Sequence, residues 1–373
     1  MERLEHASGA LAGQPFCPVN SYNEWDPLEE VIVGRLEGAT VPSKHTVITA
    51  GVPKTVAAIY PLFGGKHYPR IVTQAAQCEL DQFIHILRAE GITVRRPDII
   101  DWKPRYRTPH WSSSGYCVTC PRDGFLVMGN EIIETPMAWR CRYFEALAYR
   151  SLFKEYFAAG AKWTAAPKPQ LLNELYVENF VPPEEGEPRR YVITEAEPVF
   201  DAADFVRCGR DIFGIRSSVT NALGMGWLRR HLGSEYRVHE LESRCKQPMH
   251  IDSSFVPLAP GKVLVNPVYM DPNRLPPLLK KWDVLIAPEP DPLPRSAWRF
   301  KVSMTSPWIS VNVLMLDEER VVVEASQMTL VRKLKDWGFK PIPCRFLNYA
   351  PFGGSFHCAT LDVRRRGELK SYF

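Results

Sequence analysis

The sequence predicts a mixed α/β protein in which five strand, helix, strand units close into a ring. Three observations predict it. Amphipathic helical segments recur five times, each preceded by an apolar strand or hairpin and followed by a short strand that ends on a proline or an acid. Residues able to do chemistry fall at equivalent joints between these units. The chain of 373 residues also exceeds the usual size of one hydrophobic core, which leaves two doubly wound domains as the competing arrangement.

The first unit runs from "DPLEEVIVG" through the helix "AAQCELDQFIHILRAEG" to the strand "ITVRRPD". The second opens with the hairpin "RDGFLVMGNEIIE", whose Gly129-Asn130 suits a tight turn. It continues through the helix "RYFEALAYRSLFKEYFAAG" and closes on "AKWTAAPKP". The third pairs "GRDIFGI" with a helix around "ALGMGWLRRHLG" and the strand "YRVHEL"; the fourth pairs "GKVLVNP" with a helix at "RLPPLLKK" and the strand "WDVLIAPEPD". The fifth is "VNVLMLDEERVVVEAS", then "TLVRKLKDWG", then "FKPIPCRF", the last strand of this reading. Unit spacing varies from roughly 50 to 75 residues, so the architecture repeats while the sequence hardly does. Five such units close most simply into a ring.

Composition sets the class. Hydrophobic residues make up 45%, charged residues 24% and aromatics 11%, the balance of a folded chain with ample core. A net charge of +4 from 46 basic and 42 acidic residues, interspersed, gives no electrostatic case for nucleic acid. The one basic run, Arg364 to Arg366, reads as a solvated or paired surface segment. Nine cysteines without regular spacing in a long chain argue for reduced thiols and a cytoplasmic setting. No run of about 18 apolar residues is present to span a bilayer, so no membrane partner is expected. Residues 1–16 read as a loose, flexible tail ahead of a single domain over 17–373.

The joints carry the candidate chemistry. Asp123 opens unit two, Asp201 and Asp204 precede unit three, His250 and Asp252 precede unit four, Thr305 and Ser306 precede unit five, and Cys358 follows the last strand. In a ring these joints converge on one axis, and convergent polar groups in a concavity are the default active site. On an extended backbone His250 and Asp252, two apart, point to the same side. A carboxylate there would orient a histidine and support its charged form. In "PFGGSFHC" two glycines permit backbone conformations that other residues resist, and a thiol held there is activated when a cationic group stabilises its thiolate. The plainer readings are a helix-capping Asp, a hydrogen-bonded structural His and a buried inert Cys. Cys117 and Cys120 lack a second ligand pair and read as ordinary thiols, and "FGGKHYP" lacks the full phosphate-loop pattern. Carboxylates, a histidine and a thiol at successive joints suit a cationic substrate attacked by sulfur. A guanidinium meets both demands, because carboxylates bind its planar N–H fork and its central carbon accepts a thiolate.

The segments "SYNEWDPLEEVIVG", "VRRPDIIDW", "GNEIIETPMAWR", "GAKWTAAPKP", "EPVFDAADF", "RDIF", "PMHID", "NVLMLDE" and "GGSFHCATLDVRRRG" closely resemble the arginine amidinotransferase family from about residue 17 to the end. That family comprises glycine amidinotransferase of creatine synthesis and bacterial relatives serving pathways to guanidine compounds such as saxitoxin, cylindrospermopsin and streptomycin. The resemblance implies a five-bladed, pseudo-fivefold α/β propeller, the pentein fold, of ββαβ modules with the active site in its central channel. It implies Cys358 as nucleophile, His250 as general acid and base, and Asp201 as the carboxylate partnering His250. It places Asp123 and Asp252 on the guanidinium and amino groups of arginine, and Thr305 and Ser306 at the substrate's amino-acid end. Gln247 and Met249 would shape acceptor choice.

Arginine as donor, an amine as acceptor, ornithine as product, ping-pong kinetics through an amidino-cysteine, a homodimer, and neither cofactor nor metal complete the expectation. One departure is notable: where relatives using small amino acids carry an arginine that clamps the carboxylate, this chain has Tyr269, with Arg274 nearby as the other candidate clamp. This favours an acceptor without a carboxylate. Glycine as acceptor, water as acceptor in a guanidine hydrolase, and a metal-dependent ureohydrolase are the alternatives.

Overall fold

The computed structural model describes residues 17–50, 52, 54–58, 60–184, 187–294 and 305–373. The expected tail at 1–16 lies outside the described residues. Five three-stranded sheets are present, each with one antiparallel and one parallel pairing, plus a two-stranded hairpin of Arg105–Arg107 with Ser112–Ser114. They are the blades of the five-bladed α/β propeller.

In the second blade Phe125–Met128 pairs antiparallel with Glu131–Glu134, which pairs parallel with Lys162–Ala165. The third is Phe205–Cys208, Asp211–Gly214 and Arg237–Glu240; the fourth is Phe255–Ala259, Lys262–Val265 and Asp283–Ile286. The fifth is Leu314–Met315, Arg320–Glu324 and Lys340–Cys344. Leading strands are buried along their whole length, whereas the closing strands of blades two to four have exposed ends. This is the burial expected when one sheet edge faces the centre of a ring and the other faces outward.

The first blade joins the two ends of the chain. Leu28–Val33 pairs parallel with Thr93–Arg95 and antiparallel with Thr360–Arg365, with Val31 opposite Asp362 and Val33 opposite Thr360. The ring is therefore closed by a strand after Cys358, so Cys358 leads into the last strand and does not follow it. The basic run lies within and beside this strand. Arg365 is 1% exposed, its guanidinium donating to Asp362 and to the carbonyls of Asp26 and Met315, which corrects the surface reading for that residue.

Helices cover the outside. Arg70–Ala89 buries Ala76, Leu80, Phe83, Ile84 and Leu87, a helical stripe with spacings of three and four, and Phe83 meets Phe346 and Phe356 edge-on. The expected helix of the second unit divides into a 3₁₀ turn at Glu145–Tyr149 and an α-helix at Arg150–Ala158. In the fourth unit two 3₁₀ turns, Pro272–Arg274 and Pro277–Lys281, replace the expected helix. Pro276 and Pro277 explain it, since neither offers the amide hydrogen an α-helix needs. Gly209 turns the third hairpin with φ of 68°, and a Cβ there would lie 2.1 Å from the Lys370 carbonyl oxygen, so the hairpin and the C-terminal segment pack together only around glycine. All nine cysteines are free, and no helix among the described residues is long and apolar enough to cross a membrane.

Candidate active site

Immediately before each leading strand the chain makes a short turn, and these turns supply the site. They are Pro121–Gly124, Ala202–Asp204, Ile251–Ser253, Pro307–Val311 and the turn carrying Cys358. A cavity of about 310 Å³ lies between them. Asp123, Gln247, Met249, His250, Asp252, Tyr269, Thr305, Ser306 and Cys358 all line it. Asp201 stands behind His250, outside the lining.

Cys358 is 2% exposed. Its backbone N–H donates to Asn312 Oδ1 at 3.2 Å, and Asn312 Nδ2 reaches Sγ at 3.3 Å, so one amide side chain holds both ends of the residue. The thiol donates to Asp252 Oδ2 at 3.4 Å. Gly354 makes room: a Cβ there would lie 2.3 Å from Cys358 Cβ and 2.8 Å from Sγ. Gly353 before it has φ of 118°, a conformation L side chains resist. Burial, then the charges of Asp252, Cys120 and Asp123, push the thiol well above its ordinary pKa. The His250 ring, with a nitrogen within 4.8 Å of the sulfur, does not outweigh them.

His250 faces the other side of the cavity. It has φ of 59°, so the extended geometry expected for His250 and Asp252 does not form. The kink sends the imidazole toward Asp201 and the Asp252 carboxylate toward Cys358. Strain of this kind persists where surroundings over-determine the conformation; here the His250 N–H donates to Asp204 Oδ1 at 2.9 Å. Asp204 also accepts from Ser217 and Thr220, which makes it a brace for the turn. The imidazole places Nε2 3.1 Å from Asp201 Oδ2 and Nδ1 3.6 Å from Asp123 Oδ1. Burial alone would lower its pKa, but Asp123, Asp201 and Asp204 outweigh it and raise it to about 10. The ring is an imidazolium at neutral pH.

Asp123 is buried beside a second group of charges. Its Oδ2 accepts from Arg142 Nη1 at 2.6 Å, and Arg142 also holds Glu145 and the Cys120 carbonyl. Asp123 Oδ1 accepts no hydrogen bond among the described residues although it is buried. A buried acceptor left open in a cavity is an invitation to a donor from outside. Asp123, His250 and Cys358 also present donor atoms within 4.8 Å of one another, but a metal ion there would have to displace the proton that His250 holds up to about pH 10.

At the other end of the cavity Tyr269 donates its hydroxyl to Ser306 Oγ at 2.9 Å. Arg274 does not reach in; it pairs with Glu242 at 3.0 Å with 66% of its side chain exposed, so its candidacy as a clamp falls.

Sequence reasoning missed Asn312, Arg142, Trp139 and His357. Trp139 donates its indole N–H to Asp201 Oδ2 at 2.8 Å, and His357 bridges Asp252 and Glu24. Asn312 carried a signal, as a polar residue inside the apolar run "WISVNVLML".

Comparison with known proteins places this geometry among relatives. No family model matches the chain. It is 48% identical over 355 residues to the L-arginine:L-lysine amidinotransferase of Pseudomonas savastanoi pv. phaseolicola, covering 95% of this chain and 96% of that one. It is 47% identical over 367 residues to the mitochondrial glycine amidinotransferase of Gallus gallus, covering 96% and 85%. Among solved structures it is similar to SxtG, an amidinotransferase from Microseira wollei in the saxitoxin biosynthetic pathway, with 57% identity, a TM-score of 0.92 and coverage of 96% and 100%.

Proposed function

Because this chain belongs to the arginine amidinotransferase family, we propose that it moves the amidino group of L-arginine through a covalent amidino-cysteine to an amine in the biosynthesis of a guanidine-containing natural product, releasing L-ornithine. The observation that carries this reading is the pairing of an open buried acceptor, Asp123 Oδ1, with a thiol flanked by Asp252 in the same cavity. Two carboxylates on either side of a sulfur suit a planar cation whose carbon is to be attacked.

The charges set the order of events. Before substrate enters, the Cys358 thiol keeps its proton, held up by burial and by acidic neighbours. An entering guanidinium brings positive charge beside the sulfur and favours the thiolate, the thiol proton leaving to solvent as the cation binds and returning when the product guanidinium departs. Attack forms the S–C bond, and the imidazolium of His250, the acid form at neutral pH, gives its proton to the departing amine of ornithine. An acceptor amine then attacks the amidino carbon, the now neutral His250 takes its proton, and the C–S bond breaks to return the thiolate. Asp201 steadies the imidazolium at each transfer.

Tyr269 at the far end of the cavity, bonded to Ser306, supports an acceptor without a carboxylate. Likeness to a protein of the saxitoxin pathway favours a natural-product pathway as the setting. A glycine acceptor is the second reading, favoured by 47% identity to the chicken glycine amidinotransferase.

The test is intact-protein mass spectrometry with arginine alone. The wild type should gain about 42 Da, one amidino group as CH2N2 in the covalent scheme, and release ornithine, while Cys358→Ala does neither. No adduct and no ornithine would overturn the donor assignment. Efficient guanidinoacetate formation from glycine would overturn the acceptor assignment in favour of the second reading, and citrulline release without any amine would replace transfer with hydrolysis.

A further inference from the structure

We propose that His357 is a positioning residue for this reaction: it fixes the Asp252 carboxylate against the Cys358 thiol, with Glu24 as its backstop. The proposal rests on the preceding reading for what Asp252 and Cys358 do, and on the following geometry for how they are held.

His357 directly precedes the nucleophile, yet the residue is 4% exposed and does not line the cavity. It therefore acts through a neighbour. Nδ1 lies 2.7 Å from Asp252 Oδ2, the same oxygen that accepts the Cys358 thiol at 3.4 Å. Nε2 lies 3.2 Å from Glu24 Oε2. Glu24 cannot swing, because Arg207 grips it with Nε on Oε1 at 2.8 Å and Nη2 on Oε2 at 2.9 Å, while Arg122 reaches Oε2 at 3.3 Å. Asp362 ties both arginines together from the closing strand. The line Glu24, His357, Asp252, Cys358 thus runs from a rigid ionic cluster to the sulfur.

Asp252 is 1% exposed, so its charge must be met by local donors. The groups facing it are His357, the Cys358 thiol, Asn312 and, across the cavity, His250. Of these the imidazole makes the short bond, and a short bond to a carboxylate is the strong kind. Burial alone would raise the carboxyl, but His357 first, and His250 and Asn312 after it, hold it below the usual range. A folded-state value below the ordinary one means the carboxylate form persists as pH falls. Without the ring, the carboxyl takes up its proton at higher pH and is free to turn away from the sulfur.

The experiment compares the full chain with His357→Leu, His357→Gln and Glu24→Gln, with circular dichroism and denaturant midpoints to establish folding. In H357L the acid limb of arginine-driven ornithine release should move up by about one pH unit and the KM for arginine should rise about tenfold, the ratio that goes with one unit. The alkaline limb should stay in place. H357Q, whose amide still donates, should recover part of both changes. A second readout needs no arginine: with the Asp252 carboxylate still ionised but free to turn away from the sulfur, Cys358 should be alkylated by iodoacetamide about tenfold faster at pH 8 in H357L. A folded H357L with wild-type limb, KM and alkylation rate would overturn the proposal. Should H357L not fold, E24Q decides by the same measurements, with smaller shifts of the same sign expected and none overturning it. Loss of arginine turnover in the wild type would sink the proposed function, while the alkylation comparison would still decide the role of His357.

Discussion

His250 Nε2 and Asp201 Oδ2 lie 3.1 Å apart, and the same carboxylate oxygen accepts the indole N–H of Trp139 at 2.8 Å. The indole fixes the oxygen, the oxygen fixes the ring, and the ring reaches the cavity with a proton to give. Asp201 is completely buried, with Oδ1 lacking any partner among the described residues, and its charge is felt by His250 as well as by Asp123, Asp204, Arg142 and Glu145 around it.

It follows that Asp201→Asn lowers the His250 pKa from about 10 toward its ordinary value. The alkaline limb of ornithine release should move down with it. The rate near pH 8 should fall about 10²-fold, the low end of what general acid catalysis supplies. Stability carries the same sign. A histidine whose folded pKa lies above its unfolded value of about 6.5 contributes stability that is complete below that pH and lost as pH rises to about 10. Denaturant midpoints should therefore decline across that window in the wild type and much less in His250→Ala. An unmoved alkaline limb in D201N would show that another group sets it.

The raised pKa of the Cys358 thiol predicts reluctance toward electrophiles. With iodoacetamide at pH 7.5, peptide mapping should find exposed Cys78 modified well before Cys358, and Cys358 labelling should still be climbing above pH 9. Guanidinium ion at low concentration should speed labelling of Cys358 and leave Cys78 unchanged. Rapid, pH-independent modification of Cys358 would mean that the resting site already holds a thiolate.

The contact between Tyr269 and Ser306 bears on the acceptor. Tyr269→Phe removes one hydrogen bond, and the acceptor's KM should rise about fivefold, the equivalent of about 1 kcal/mol, with the amidino adduct forming at the wild-type rate. Tyr269→Arg places a guanidinium in the same wall and should increase guanidinoacetate formation from glycine. If Y269F changes adduct formation instead, Tyr269 serves the donor.

The joints were legible because they hold polar residues between apolar runs, and five of them recur at a spacing that a ring explains. What stayed hidden depends on contacts far apart in sequence. Arg142 in "AWRCRYF" looks like a cation on a helix surface, and its burial against Asp123 and Glu145 follows only from blade packing. The strand after Cys358 was readable from the alternation of Leu361 and Val363, but three arginines masked it. Arg365 is buried there because Asp362, three residues earlier on the same strand, meets its charge. The missing helix at 274–281 was written in two adjacent prolines, which outweigh an apolar pattern too short to specify a helix by itself.

That closing strand sets the last prediction. Asp362 is fully buried and shared by Arg122, Arg207 and Arg365. Burial alone would raise its carboxyl, but the three arginines outweigh it and hold it well below the usual range. Asp362→Asn leaves buried arginines without their counter-charge and should destabilise the chain by about 3–5 kcal/mol at neutral pH, the cost of breaking a buried pair from one side. A depressed folded pKa contributes stability that is complete above the unfolded value of about 3.9 and disappears as pH falls through the folded one. The gap between wild type and D362N in urea midpoints should therefore be constant from pH 8 to about 5 and narrow only at more acidic pH. A gap that persists undiminished into strong acid would assign the loss to packing of the asparagine rather than to charge, and a gap below about 1 kcal/mol would show that the arginines find other partners.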